Sequence, residues 1–178
     1  MKLIPTIFVL LAFVLTQIFA GQPVFSTQTS AEDTRSKYVG LLIADSLPDG
    51  LKLRNHFLIG SKQGVDIPLD FGIREVAKGS VKMLWFERVA ERDGQRVSQW
   101  EILDVLVLPQ IRKSQVLANS YCFIGKEYEP DVFAIFENQD KEYLTRARRA
   151  WRANRLSGKF EEIPLRGVRC ENESWAIP

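Results

Sequence analysis

The feature that most constrains the fold is a pair of long apolar segments, Val81 to Ala90 and Arg96 to Leu108, separated by the turn sequence Arg92-Asp93-Gly94-Gln95. An Asp-Gly pair between two such segments favours a tight two-residue turn, because both central residues of that turn need a positive φ. The sequence therefore predicts a β-hairpin. With the Asp-Gly pair as the loop, Trp85 is expected opposite Ile102 in the ladder.

The period of the apolar residues changes toward the C terminus, where it predicts one long helix over residues 138–154. The apolar residues that recur there at helical spacing are Tyr143, Leu144, Ala147, Ala150 and Trp151. Gly158 follows at a position typical of a helix end. Because the order is mostly strands, then this helix, then strands, we predict an α+β fold. In it a curled antiparallel sheet of six to eight strands carries the long C-terminal helix on one face.

The N terminus has the pattern of a secretory signal peptide, which we assign to residues 1–20. A positive start at Met1-Lys2 is followed by an apolar segment from Leu3 to Leu15, and Ala20 provides a small residue for cleavage. An uncleaved membrane anchor is the alternative. Residues 21–37 are polar, and we interpret them as a flexible leader, so that 38–178 form a single α+β domain. We expect export to a periplasm or lumen in a bacterium, and secretion otherwise.

Two cysteines, Cys122 and Cys170, lie in apolar segments that both resemble strands. In an oxidising compartment two such cysteines tend to pair, whereas in the cytosol they would more often be free thiols in a core. We predict a disulfide between them. It would hold the last strand beside one that lies nearly 50 residues earlier.

Composition and motifs exclude several classes of function. The formal net charge of +2 is too small for a protein dominated by nucleic-acid binding. One histidine and two cysteines are too few for a His/Cys metal cluster built by one chain. The sequence also lacks the glycine-rich phosphate-binding motifs and the G-x-S-x-G nucleophile motif. We therefore assign no catalytic residue and expect no cofactor, no metal and no nucleic-acid partner.

Carboxylate chemistry needs no sequence motif, only two acids that are close in space. Glu87, Glu101 and Asp104 are the acids that lie within strongly apolar strands. A hydrolase that uses an Asp/Glu pair is therefore the least favoured of three functional hypotheses. More often such acids are paired with a basic side chain at the edge of a strand.

An arginine-rich segment is the most informative local feature, and on a helix it would form a basic face. Its members are Arg146, Arg148, Arg149, Arg152 and Arg155. Such a face could bind an acidic protein or an anionic membrane surface. The alternative is a solvated face that neighbouring acids neutralise. From the first interpretation we predict a non-enzymatic interaction module of the cell envelope.

The other hypothesis is a small-ligand-binding protein that uses the hollow of a curled β-sheet. Trp85, Phe86 and Trp100 would then be wall residues of the pocket. An apolar hollow of several hundred cubic ångström would favour this hypothesis.

The C-terminal stretch resembles small exported cyanobacterial proteins of unknown function. The residues that carry the resemblance are Ala150-Trp151-Arg152-Ala153-Asn154, Gly158, Phe160, Ile163, Gly167, Cys170, Asn172 and Glu173. The resemblance implies a periplasmic or lumenal location and transfers no activity.

Overall fold

The computed structural model describes residues 31–44, 46–48, 50–60, 69–119 and 121–175. Within these ranges the chain forms one short helix and thirteen strands. Their bounds are α1 Ala31–Tyr38, β1 Leu42–Ile43, β2 Lys52–Leu58, β3 Phe71–Lys78, β4 Val81–Asp93, β5 Arg96–Val107, β6 Gln115–Ala118, β7 Cys122–Ile124, β8 Glu127–Tyr128, β9 Val132–Glu137, β10 Tyr143–Leu144, β11 Ala147–Asn154, β12 Lys159–Glu162 and β13 Val168–Glu171.

The strands form three sheets in which all the neighbours are antiparallel. The first sheet has the order β1-β5-β4-β3-β2, the middle sheet β12-β11-β9-β6, and the third sheet β10-β13-β7-β8. Alternate residues of β9 show how the sheets are layered. Phe133 and Ile135 belong to a buried cluster shared with the first sheet, whereas Val132, Ala134 and Phe136 belong to one shared with the third sheet. The middle sheet is therefore covered on both faces.

The predicted α+β fold with a long C-terminal helix is wrong, because residues 147–154 form β11 in the centre of the middle sheet. Trp151 and Ala153 pack toward the first sheet, and Ala150 packs toward the third. A strand that is buried on both faces does not need to alternate apolar and polar residues. The helical spacing of its apolar residues was therefore misleading. Ala and Arg also favour helices in isolation, a weak preference that tertiary packing overrides.

The predicted β-hairpin is confirmed, and its two arms are β4 and β5. Its register differs from the prediction, because Asp93 pairs with Arg96 and β-bulges shift the ladder further along. Trp85 consequently lies opposite Val105 rather than Ile102. Gly94 has a φ of 61°, the left-handed conformation that favours glycine in such a turn.

A buried carboxylate connects three elements at a bulge in β5. Asp104 Oδ1 lies 2.6 Å from Arg35 Nε of α1 and accepts a hydrogen bond of 2.7 Å from the Val105 amide. Its other oxygen, Oδ2, accepts a hydrogen bond of 2.8 Å from the amide of Phe160 in β12. Asp104 therefore links the helix, the first sheet and the edge of the middle sheet.

The helix α1 covers residues 31–37 of the stretch assigned from sequence to the leader. It is held on the first sheet by Tyr38, which is buried, with its ring centroid 5.0 Å from that of Trp85. Residues 1–30, with the predicted signal peptide, lie outside the described residues. Among the described residues no helix has the length and apolar character needed to cross a bilayer.

The predicted disulfide is confirmed, and it joins β7 to β13. Cys122 and Cys170 lie directly opposite each other in the ladder of the third sheet. Both are buried in the cluster between the middle and third sheets. The bond therefore closes a loop over a sequence separation of 48 residues and lies within a hydrophobic core.

Candidate functional site

A surface groove of about 330 Å³ opens at the margin of the interface between the first and middle sheets. β6, β9, β11 and the segment that follows β5 all contribute to it. The lining residues are Pro109, Gln110, Arg112, Gln115, Ile135, Glu137, Arg148 and Arg149. We call this feature the arginine groove.

Arg148 and Arg149 both line the groove although they are neighbours in a strand. Neighbouring side chains of a regular strand point to opposite faces of the sheet. Here the pairing of β11 with β9 shifts between Ala147 and Arg149. Such a bulge redirects a side chain locally, and this one brings a second arginine to the same face.

Glu137 is the carboxylate at the centre of the groove. Its Oε1 accepts a hydrogen bond of 3.1 Å from Gln115 Nε2 and one of 2.7 Å from Arg148 Nε. The hydrogen bond from Gln115, then that from Arg148 and the positive charges of Arg148 and Arg112, hold the pKa of Glu137 below its ordinary value of 4.5. Glu137 is therefore ionised at neutral pH and fixes the orientation of Arg148.

Arg149 is held by Glu162 of β12 in a two-pronged contact. Its Nε and Nη2 donate hydrogen bonds of 3.0 and 2.8 Å to the two carboxylate oxygens. These bonds raise the pKa of Arg149 and lower that of Glu162. The guanidinium also lies over the Trp151 ring, 4.8 Å from its centroid. Arg149 is thus a fixed, permanently charged wall of the groove.

Arg112 is exposed, and its guanidinium forms no hydrogen bond or ion pair with a described residue. Only its backbone amide is engaged, as the donor to Gln115 Oε1. The groove therefore combines three arginines with the carboxylates of Glu137 and Glu162, a net charge of one positive. Arg112 acts on Glu137 only through its charge, and a guanidinium that makes no hydrogen bond to a described residue is suited to bind a carboxylate.

The five arginines predicted for one face of a helix lie on and beside the strand β11, in different surroundings. Arg152 Nη2 lies 3.1 Å from Glu129 Oε2, and its Nε lies 3.7 Å from Asp131 Oδ1. Arg155 donates a hydrogen bond to the Gly60 carbonyl. Arg146 is exposed at the other end of the segment. Of the five predicted arginines, the structure places Arg148 and Arg149 together in the groove.

The structure places the three aromatic residues predicted as pocket walls in two buried clusters. Phe86 is buried in the cluster between the first and middle sheets. Trp85 and Trp100 lie in the cluster beneath α1, on the opposite face of the first sheet. All three are packed against other core side chains.

A second group of charges is buried on the helix side of the first sheet. Glu87 is fully buried, and its Oε1 lies 2.7 Å from Arg74 Nε. Its Oε2 lies 3.3 Å from Nε2 of His56, on the edge strand β2. Gly72 makes this contact sterically feasible, because a Cβ there would stand 3.0 Å from that nitrogen. This group of charges ties β2, β3 and β4 together.

The remaining acid flagged from sequence, Glu101, accepts a hydrogen bond of 2.7 Å from Arg88 at the surface. All three flagged acids thus contact an arginine, as is usual for acids within apolar strands. Within the described ranges, no group of three or more His, Cys, Asp or Glu residues is arranged to hold a metal ion.

Sequence reasoning missed Arg112 and Gln115 as groove residues. They lie in a short polar stretch, Arg112-Lys113-Ser114-Gln115, that has no periodicity of its own. Their role depends on the pairing of β6 with β9, which no local pattern indicates.

No protein-family model, curated protein or solved structure matches this chain.

Proposed function

We propose that this protein is a non-enzymatic binding domain that holds an acidic segment of a partner protein in the arginine groove. The observation that carries the proposal is the arrangement of Arg112, Arg148 and Arg149 around one concavity, with the Arg112 guanidinium lacking a described partner. A carboxylate entering the groove would meet charge-assisted donors that Glu137 and Glu162 already hold in place.

The geometry favours an acidic protein segment over an anionic membrane. A flat membrane surface would need the arginines on one convex face, whereas Arg152 and Arg155 are engaged elsewhere. The groove is concave and has room for side chains. Arginine forks also match the planar geometry of a carboxylate.

The interaction is electrostatic and partly exposed, so we expect it to weaken with salt. At an ionic strength of about 0.15 M the screening length is about 8 Å. Affinity for an acidic peptide is therefore expected to fall steeply between low and physiological salt.

The test uses a fluorescein-labelled oligoglutamate peptide and measures its affinity for the purified protein by fluorescence anisotropy. The double variant Arg112→Gln, Arg148→Gln is expected to bind about tenfold more weakly, a difference of about 1.4 kcal/mol. The matched control is Arg54→Gln, Arg166→Gln, which removes the same charge from exposed positions outside the groove.

Two results would contradict the proposal. One is equal weakening in both double variants, which would mean that only net charge matters. The other is groove-dependent binding to phosphatidylglycerol vesicles without binding to the peptide, which would identify a membrane as the partner.

We also propose that the protein acts outside the cytoplasm, in a periplasm or lumen. The apolar N-terminal segment supports export, and the disulfide between Cys122 and Cys170 is typical of an oxidising compartment. The intact mass of the unreduced native protein tests this. We expect the mass of residues 21–178 with both thiols oxidised, whereas the full chain with two free thiols would contradict export.

A further inference from the structure

The two edge strands of the middle sheet, β12 and β6, differ in the hydrogen bonds that their outward-facing backbone groups form. At the edge strand β12, the Ile163 amide donates a hydrogen bond to the Ala150 carbonyl. Hydrogen-bonded pairs alternate along an antiparallel ladder, so the amide of Phe160, three residues earlier, points away from β11. That amide donates to Asp104 Oδ2 of the first sheet. One outward backbone donor of this edge, the Phe160 amide, is therefore capped.

The opposite edge is β6, and its register shows which backbone groups face outward. The Asn138 amide donates a hydrogen bond of 2.7 Å to the Ser114 carbonyl. This bond makes Ser114 and Asn138 a hydrogen-bonded pair that extends the β6–β9 ladder by one position. Hydrogen-bonded pairs alternate along an antiparallel ladder. Val116 and Ala118 therefore bond to β9, whereas the N–H and C=O of Leu117 point away from it.

Nothing pairs with Leu117 on that side within the described part of the chain. β9 is the neighbour of β6 in the sheet, and no hydrogen bond from the Leu117 backbone to a turn, loop or side chain is present there. Gln115, the other outward-facing residue, already donates its amide to the Arg112 carbonyl. Among the described residues Leu117 thus presents a donor and an acceptor without a partner, the template onto which a further strand can add.

Two different environments flank this edge, one on each face of the sheet. On the face of Gln115 lies the arginine groove. On the face of Val116 and Ala118 lies a hollow of about 180 Å³, which Leu144 lines on its apolar side and the segment Glu171-Asn172-Glu173-Ser174 on its polar side. Successive side chains of an added strand would therefore point alternately toward the guanidinium groups and toward this hollow, whose carboxylates disfavour a second acidic side chain there.

We propose that the acidic partner segment binds as an extended strand paired with β6 at Leu117, with acidic residues toward the groove and small apolar residues toward the hollow. This inference rests on the proposed function. It adds backbone hydrogen bonds to a binding site that the proposed function defines by charge alone. It also predicts that acidic and apolar residues alternate in the partner segment.

The test compares three peptides of the same charge. The first alternates glutamate and valine, the second contains the same residues in two separate blocks, and the third is the first with N-methyl groups on alternate amides. We expect the alternating peptide to bind the purified protein at least about tenfold more tightly than the other two. In that complex we expect hydrogen exchange of the Leu117 amide to slow by about tenfold or more.

The outcomes separate this inference from the proposed function. If all three peptides bind equally, or if exchange of the Leu117 amide is unchanged, strand pairing is wrong, while weaker binding by Arg112→Gln, Arg148→Gln would still support the groove. If that double variant binds all three peptides as the parent does, the proposed function is wrong as well.

Discussion

Loss of Arg74 is expected to destabilise the fold strongly, because it leaves the Glu87 carboxylate without its nearest counter-charge. Glu87 is fully buried and Arg74 is 5% exposed, and the two are in direct contact at 2.7 Å. Breaking a buried ion pair by removing one partner typically costs about 3–5 kcal/mol. We expect a loss in this range for Arg74→Met, which keeps most of the side-chain volume and removes the charge.

Removal of both charges is expected to be far less harmful. In the double variant Arg74→Met, Glu87→Leu the site is apolar, and replacement of a buried ion pair by apolar residues of similar volume is often close to neutral. The contact between Glu87 and His56 is lost as well and leaves the buried Nε2 without that partner, but one unpaired ring nitrogen costs less than an unpaired buried carboxylate. The double variant is therefore expected to recover most of the stability that Arg74→Met loses.

Urea denaturation followed by circular dichroism measures these free energies of unfolding. The matched control is Arg88→Met, which breaks an exposed pair with Glu101 and is expected to cost at most about 1 kcal/mol. A loss below about 1 kcal/mol for Arg74→Met would refute the reasoning. So would a double variant that is less stable than Arg74→Met.

Three further predictions concern the disulfide, the buried carboxylate of Asp104 and the arginine groove. Replacing both cysteines by alanine is expected to lower the free energy of unfolding by up to about 4 kcal/mol, from the 48-residue separation, and a change below about 1 kcal/mol in urea would contradict this. Asp104→Ala leaves the backbone amides of Phe160 and Val105 without their acceptor. We therefore expect the free energy of unfolding to fall by about 2–4 kcal/mol in the same assay, and to fall less for Asp104→Asn. The pKa of Glu137 is lowered by Gln115 and then by Arg148, so the stability that Glu137 contributes is present above its ordinary pKa of 4.5 and is lost as the pH falls through its folded value. The stability difference between the parent and Arg148→Gln is accordingly expected to shrink in acid, and a difference that stays constant down to pH values below the folded pKa would contradict this.

Local signals in the sequence were sufficient for the β4–β5 hairpin but not for its register. The Asp-Gly turn and the two apolar arms identify the hairpin by themselves. The pairing of Trp85 with Val105 depends on where the turn closes and on bulges farther along the ladder. A bulge inserts one extra residue into one strand, and the sequence of the two arms does not indicate where that residue lies.

The disulfide could be predicted from the expected oxidising compartment and from two strand-like segments, without knowledge of the fold. The error over residues 138–154 has the opposite cause. A fully buried central strand and a buried helix are hard to distinguish by periodicity, and β11 lies between two other sheets. The groove could not be predicted from local patterns either, because Arg112 and Arg148 become neighbours only when β6, β9 and β11 pair.

The difference between the two edges of the middle sheet connects the fold to the proposed binding. β6 and β12 each contain four residues, and neither sequence indicates which edge has a capped backbone donor. The distinction comes from Asp104, a carboxylate of another sheet that accepts the Phe160 amide. An unpaired edge in a folded protein is normally shortened, charged or covered. β6 is short, and its outward backbone groups at Leu117 lie between the arginine groove and the hollow lined by Val116, Ala118 and Leu144. If the proposed function is correct, the arginines that repel a second copy of this groove attract an acidic strand, and the open edge is then selective for its partner.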